Sequence, residues 1–156
     1  MAKKNYQMQF SDEKKIAKAI AANQRISTKY ATEMCREIKG KPLAKAVAMI
    51  QRIMEKKQYL PLRKYNKEVA HRKGAALSGT KSGRFPERCC RVFLKVLESV
   101  KANADFKGLD AENLLIVHCF ASYGFRRRSM QSKGRISGKT RKSKSTHLEI
   151  IVREVK

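Results

Sequence analysis

Two glycine-containing stretches place residues where nucleotide chemistry could be done. Gly134-Arg135-Ile136-Ser137-Gly138-Lys139-Thr140 ends like a phosphate-binding loop, and Gly74-Ala75-Ala76-Leu77-Ser78-Gly79-Thr80-Lys81 repeats the loop's glycine spacing. Such a loop needs four residues between its glycines, so that backbone N–H groups can ring a phosphate, and then a lysine followed by a hydroxyl residue. The first stretch has only three residues between its glycines, and the second places Thr80 before Lys81. Neither follows an apolar strand or opens a helical pattern, so nucleotide binding is not expected. A cysteine–histidine nucleophile such as Cys119 with His147 has no nearby acid to orient it. His71, His118 and His147 are scattered, and Cys35, Cys89, Cys90 and Cys119 contain no Cys-x-x-Cys pair. The cysteines read as small apolar core residues in a reducing compartment. No enzymatic activity, cofactor or metal site is expected.

Charge is the dominant feature. The 156 residues carry 37 Lys and Arg against 13 Asp and Glu, a formal charge of +24, with 42% hydrophobic residues. That length supports one domain, 1–156, with one core. Self-repulsion on this scale calls for a polyanionic partner, most simply nucleic acid. The longest apolar run, Leu114–Ala121, is interrupted by His118 and is too short to span a bilayer, so no membrane partner is expected. MAKKNYQMQF lacks the apolar core of a signal peptide, which predicts a cytoplasmic location.

The acids sit where helices are expected. Ser27-Thr28 suits a helix cap, and Ala31, Met34, Cys35 and Ile38 form one stripe before a stop at Gly40. Pro42 suits the first turn of a second helix with the stripe Leu43, Ala46, Val47, Ile50 and Met54. A third helix is expected from near Pro86 to before Gly108, burying Cys90, Phe93, Leu97, Val100 and Ala104.

Two segments break this pattern. Residues 57–86 hold eight Lys and Arg with Glu68 as their one acid, and they show no regular period, so a long basic loop or extended insert is expected. Between Glu112 and Glu149 there is no acid at all. Leu114–Phe125 reads as one strand, and Thr146–Val155 as a second, half-buried one with Leu148, Ile150 and Val152 facing a core. The basic stretch between them, RRRSMQSKGRISGKTRKSKS, implies a hairpin over about 113–155 whose arms reach roughly 30 Å, at ~3.3 Å per residue. An isolated ribbon of this kind is marginal in water and needs something to hold it. Midpoint reasoning puts its tip near Gly134.

Arg25–Ile50, Lys95–Asp105, Lys133–Arg135 and Ser145–Val152 together resemble the universal large-subunit ribosomal protein twenty-two family, called seventeen in eukaryotes. The resemblance runs from about Ala17 to Val155, and residues 57–86 look like the insert of archaeal and eukaryotic members. It implies an α+β fold: three helices packed on a small antiparallel sheet, with a long protruding basic β-hairpin. It further implies a structural constituent of the large ribosomal subunit that aids assembly and lines the nascent-peptide exit tunnel. The implied partners are large-subunit rRNA, neighbouring large-subunit proteins and the nascent polypeptide, with no homo-oligomer. A free-standing RNA chaperone or nucleic-acid-compacting protein with the same electrostatics is the other reading.

The cations expected to meet rRNA are Arg63, Lys64, Arg72, Lys73 and Arg84 in the insert. In the hairpin they are Arg126, Arg127, Arg128, Lys133, Arg135, Lys139, Arg141, Lys142 and Lys144. Arginine can fork onto phosphate or stack on bases, and the interleaved Ser and Gly permit close backbone approach. The resemblance places the tunnel tip at Phe125, Arg126, Arg127, Arg128, Ser129, Met130, Gln131 and Ser132.

Overall fold

The computed structural model describes residues 6–10, 13–74 and 79–155. In chain order the elements begin β1 (Ile16–Gln24), α1 (Thr28–Ile38), α2 (Leu43–Met54), β2 (Leu60–Pro61) and β3 (Gly83–Arg84). They continue with α3 (Glu87–Phe106), β4 (Leu114–Tyr123), β5 (Arg128–Met130), β6 (Thr140–Lys142) and β7 (Thr146–Glu154).

The helices form where the apolar spacing predicts them. Ser27 opens α1 through its carbonyl, which accepts the Ala31 N–H at 2.9 Å, while its side chain makes no capping bond. The first turn is tied to the sheet instead: Thr28 Oγ1 lies 2.8 Å from Thr146 Oγ1. Pro42 and Pro86 both stand at the cap position, one residue before their helices begin. The buried faces are wider than the expected stripes, adding Met49 and Ile53 on α2 and Cys89 and Val96 on α3.

An antiparallel sheet of order β1-β7-β4 receives the helices: α1 packs on β4, α3 on β1 and β7, and α2 on α3. Ala17, Ala19, Ile116, Cys119, Leu148, Ile150 and Val152 join the helical stripes in one buried cluster. The sequence pattern missed β1 altogether, although it supplies an edge of this sheet. It also read β7 as half-buried, and the structure corrects this. β7 is the central strand, and Glu149 and Ile151 on its other face are buried as well. Tyr6 and Gln7 lie against that face, with the Gln7 N–H donating to Glu149 Oε2 at 3.0 Å.

A bulge between Ile116 and His118 turns His118 onto the same face, 4.0 Å from Glu149 Oε2. Burial pushes the His118 imidazole below its ordinary value of 6.5; Glu149 opposes the shift and Lys39 reinforces it. The unfolded chain therefore takes up this proton first as pH falls. Stability contributed by the neutral imidazole is complete above about 6.5 and is lost as pH falls through that value toward the folded pKa. The urea midpoint should drop between pH 7.5 and 5, and by a smaller amount in His118→Phe. An equal drop in both proteins would show that other groups govern the transition.

Within 57–86, the described residues (57–74 and 79–86) form short paired structure. β2 and β3 pair antiparallel, His71 bridges Ser82, and Tyr59, Leu60 and Leu62 are buried. The ladder is only two residues long, too short to leave a periodic signal in the sequence.

Candidate nucleic-acid interface

The hairpin continues beyond the sheet as a paired ribbon. Gly124 N–H donates to the Ser145 carbonyl, Ser143 N–H to the Arg127 carbonyl, and Arg127 N–H to Ser143 Oγ. β5 and β6 then pair Arg128 with Lys142, Ser129 with Arg141 and Met130 with Thr140. Gln131 N–H to the Lys139 carbonyl and Gly138 N–H to the Gln131 carbonyl close the ribbon. The reversal is thus Ser132–Gly138, with Gly134 (φ 87°) and Gly138 (φ 79°) supplying the left-handed backbone that a tight return requires.

The tunnel tip implied by the resemblance, Phe125–Ser132, adjoins this reversal. Phe125 through Met130 stand on the outgoing arm, Gln131 closes the turn, and Ser132 alone of those eight residues lies in it. The position near Gly134, from simple midpoint reasoning, matches the register.

Arg126, Arg127, Arg128, Lys133, Arg135, Lys139, Arg141, Lys142 and Lys144 are all exposed. Among the described residues, none of them forms an ion pair. Arg128 directly opposes Lys142, a cross-strand arrangement that costs energy in isolation. Arg126 lies over the Tyr123 ring at 3.6 Å from its centroid. A polyanion would relieve the repulsion along the whole ribbon.

Asn23 fastens the ribbon's base. Its Oδ1 accepts the Phe125 N–H and the Ser145 hydroxyl, both at 3.1 Å, and its own N–H donates to His147 Nδ1 at 3.1 Å. Gly124 sits where a Cβ would strike Ser145 Oγ and Asn23 Oδ1. Gly124→Ala should therefore cost about 1–3 kcal/mol by overpacking, with faster hydrogen exchange at the Phe125 amide. Wild-type exchange at that amide would show that the ribbon's base can shift without loss.

The insert contributes unequally. Arg63 Nη2 donates to the buried Glu37 at 2.9 Å, and Arg72 Nε donates to the Gly83 carbonyl at 3.2 Å with its guanidinium over Phe85. Both side chains thus hold a partner within the protein, and Arg63 remains exposed. Lys64, Lys73 and Arg84 are exposed. Lys64 and Arg84 meet Lys144 of the hairpin and Lys29 of α1 around a recess of about 560 Å³. Lys29 and Tyr65 in that recess, and Asn23 at the ribbon's base, were missed by sequence reasoning. The Arg25-Ile26-Ser27-Thr28-Lys29 stretch that leads into α1 was the available signal.

The sequence matches the profile of the ribosomal protein L22p/L17e family over residues 19–153. The chain belongs to this family. It is 38% identical to the large ribosomal subunit protein uL22 of Methanococcus aeolicus over 156 residues, 99% of each chain. It is 43% identical to uL22 of Archaeoglobus fulgidus over 124 residues, covering 80% of this chain and 79% of the relative. With uL22 of Methanopyrus kandleri the identity is 38% over 92% of this chain and 89% of the relative. The Methanococcus match, covering 99% of this chain, takes in residues 57–86.

Family membership agrees with the failed catalytic motifs. Gly138-Lys139-Thr140 leads into β6 rather than a helix, so it lacks the N-terminal dipole of a phosphate loop. In the Gly74–Lys81 stretch, residues 75–78 lie outside the described residues. Cys119 is buried with the core face of β4, whereas His147 neighbours the core residue Leu148 and so turns to the opposite face. Burial pushes the Cys90 thiol up to about 11 and holds Cys35 and Cys89 well above the ordinary thiol range, which suits inert packing. Among the described residues, no helix is long and apolar enough to cross a membrane.

Proposed function

We propose that the protein is a structural constituent of the large ribosomal subunit. It binds large-subunit rRNA through the ribbon and the adjoining recess, aids subunit assembly, and lines the nascent-peptide exit tunnel with the ribbon's end. The observation that carries this reading is the ribbon itself. Its exposed cations lack acidic partners among the described residues, and Arg128 opposes Lys142 across the strands, in a chain of the L22p/L17e family. The relatives are named as large-subunit proteins, which supports the same assignment here.

The ribbon acts by charge and shape. Phosphates take the place of the missing acids, and counterion release supplies most of the affinity. The sheet and α1 fix the ribbon's exit direction, so the reversal is delivered to one place. In this reading Lys133–Ser137, in the reversal, stand nearest a nascent chain, with the expected tip residues Phe125–Ser132 on the adjoining arm and turn. Large-subunit proteins and a passing polypeptide are its remaining partners.

Sucrose-gradient sedimentation of the tagged full chain tests the assignment. It should run with the large subunit at about one copy each and stay there through a moderate-salt wash. Recovery at the top of the gradient, or complete release by the wash, would overturn the reading in favour of an RNA chaperone that cycles off.

A further inference from the structure

The recess beside α1 is built differently from the ribbon. Its rim carries five cations, Lys29, Lys64, Lys67, Arg84 and Lys144, against one acid, Glu68, but its walls include Tyr65 and the apolar side chains of Leu62 and Val69. Phosphate binding needs no such wall. Leu62 is buried and anchors the strand end, whereas the Tyr65 ring is only half-buried. Two ammonium groups sit loosely over that ring, Lys29 Nζ at 5.5 Å and Lys64 Nζ at 5.9 Å from its centroid.

The ring is held in place by a buried charge. Glu33 on α1 is 1% exposed, and one of its oxygens accepts both the Lys64 N–H (2.7 Å) and the Tyr65 N–H (3.1 Å). Its other oxygen lies 3.5 Å from Arg36. A carboxylate taken from water to fix two successive backbone amides of a surface segment holds Tyr65 and Lys64 in position before any ligand arrives. The hairpin cations Arg126–Arg128 and Arg141–Lys142 stand exposed without such fixing by a buried acid.

We propose that this recess receives one unpaired nucleobase, extruded from the rRNA and stacked on Tyr65, with its flanking phosphates on the rim cations. The proposal rests on the rRNA-binding reading above and adds the class of RNA feature recognised. A base inside a helix is already stacked on its neighbours and cannot enter a concave recess, whereas a bulged or loop base can. The volume of about 560 Å³ is in the range of small-molecule sites and accommodates a nucleotide unit rather than a duplex. An entering base displaces the weak ammonium–ring contacts and frees Lys29 and Lys64 for the phosphates on either side.

The test uses the full chain with a transcript of the large-subunit rRNA from the same organism, titrated at several salt concentrations. Tyr65→Leu should weaken binding about 5- to 150-fold, the effect of losing one base–aromatic stack, with an unchanged salt slope. Tyr65→Phe keeps the ring and should stay within about twofold of wild type. Lys64→Gln should make the slope shallower by about 1. Ultraviolet irradiation of purified large subunits should leave a mononucleotide adduct on the peptide containing Tyr65. A steep wild-type slope with Tyr65→Leu binding as wild type would overturn the pocket alone; a flat wild-type slope would overturn the rRNA reading beneath it. A Tyr65 adduct with a peptide instead of a nucleotide would reassign the recess to a neighbouring protein. If Tyr65→Leu fails to fold, the Tyr65→Phe affinity and the adduct decide the matter.

Discussion

Replacing Arg126, Arg127, Arg128, Arg141 and Lys142 together by glutamine should flatten the salt dependence of RNA binding by about 3.5–4.5 slope units. Each neutralised phosphate contributes roughly 0.7 to 0.9 to that slope through counterion release. Between 50 and 200 mM salt, the wild type should therefore lose about 10²- to 10³-fold more affinity than the variant. The variant should fold normally, because all five side chains are exposed and Arg128 opposes Lys142 across the ribbon. Removing that repulsion can only help the free protein. Filter binding at four salt concentrations, with circular dichroism as the fold control, makes the comparison. Parallel slopes for the two proteins would show that the ribbon does not carry the RNA contact.

Phe93→Ala should have the opposite profile. Phe93 is fully buried on α3, within the cluster that joins the helices to the sheet. Losing the ring removes its transfer free energy and leaves a cavity, for a cost of about 3–5 kcal/mol. That is a large share of the roughly 5–15 kcal/mol that holds a domain of ordinary stability. Below the unfolding transition, RNA affinity should stay at the wild-type value, since no rim or ribbon residue moves. Phe106→Ala, on the same helix but 93% exposed, should stay within about 0.5 kcal/mol. Urea unfolding of the three proteins measures the differences. A Phe93→Ala cost near that of Phe106→Ala would mean that α3 is not packed as described.

The ribbon variant and Phe93→Ala fall in the parts of the molecule that were legible in the sequence. Helical stripes repeat within a few residues, and Pro42, Pro86, Gly40 and Gly108 mark their ends locally. The sheet was harder to read because its pairing is long-range. β1 is an alanine-rich segment, Ile-Ala-Lys-Ala-Ile-Ala-Ala-Asn-Gln, whose strand form comes from pairing with β7 more than a hundred residues away. The same distance hid the burial of Glu149, which depends on the N-terminal Tyr6 and Gln7 reaching the middle strand. At the interface, the cations were visible as composition, but their division of labour was not. Glu33 and Glu37 look like one acidic helix face, and only the fold shows them buried beneath the insert, holding Lys64, Tyr65 and Arg63. The reversal could be read from symmetry about the middle of the basic stretch, whereas the tunnel tip implied by the resemblance begins several residues earlier, on the outgoing arm.

The ribbon's destination can be measured with a tethered probe. All four native cysteines are buried, so a single exposed thiol at Ser137→Cys can be labelled selectively with an iron chelate. Ser137 lies in the reversal, where the label cannot disturb a strand pair. Hydroxyl radicals generated in large subunits carrying this protein should cut rRNA at nucleotides lining the exit tunnel. The same label at Phe106→Cys, at the far end of α3, should cut a different set. Cleavage from Ser137 that is absent, or that overlaps the Phe106 pattern, would contradict a ribbon that enters the tunnel wall.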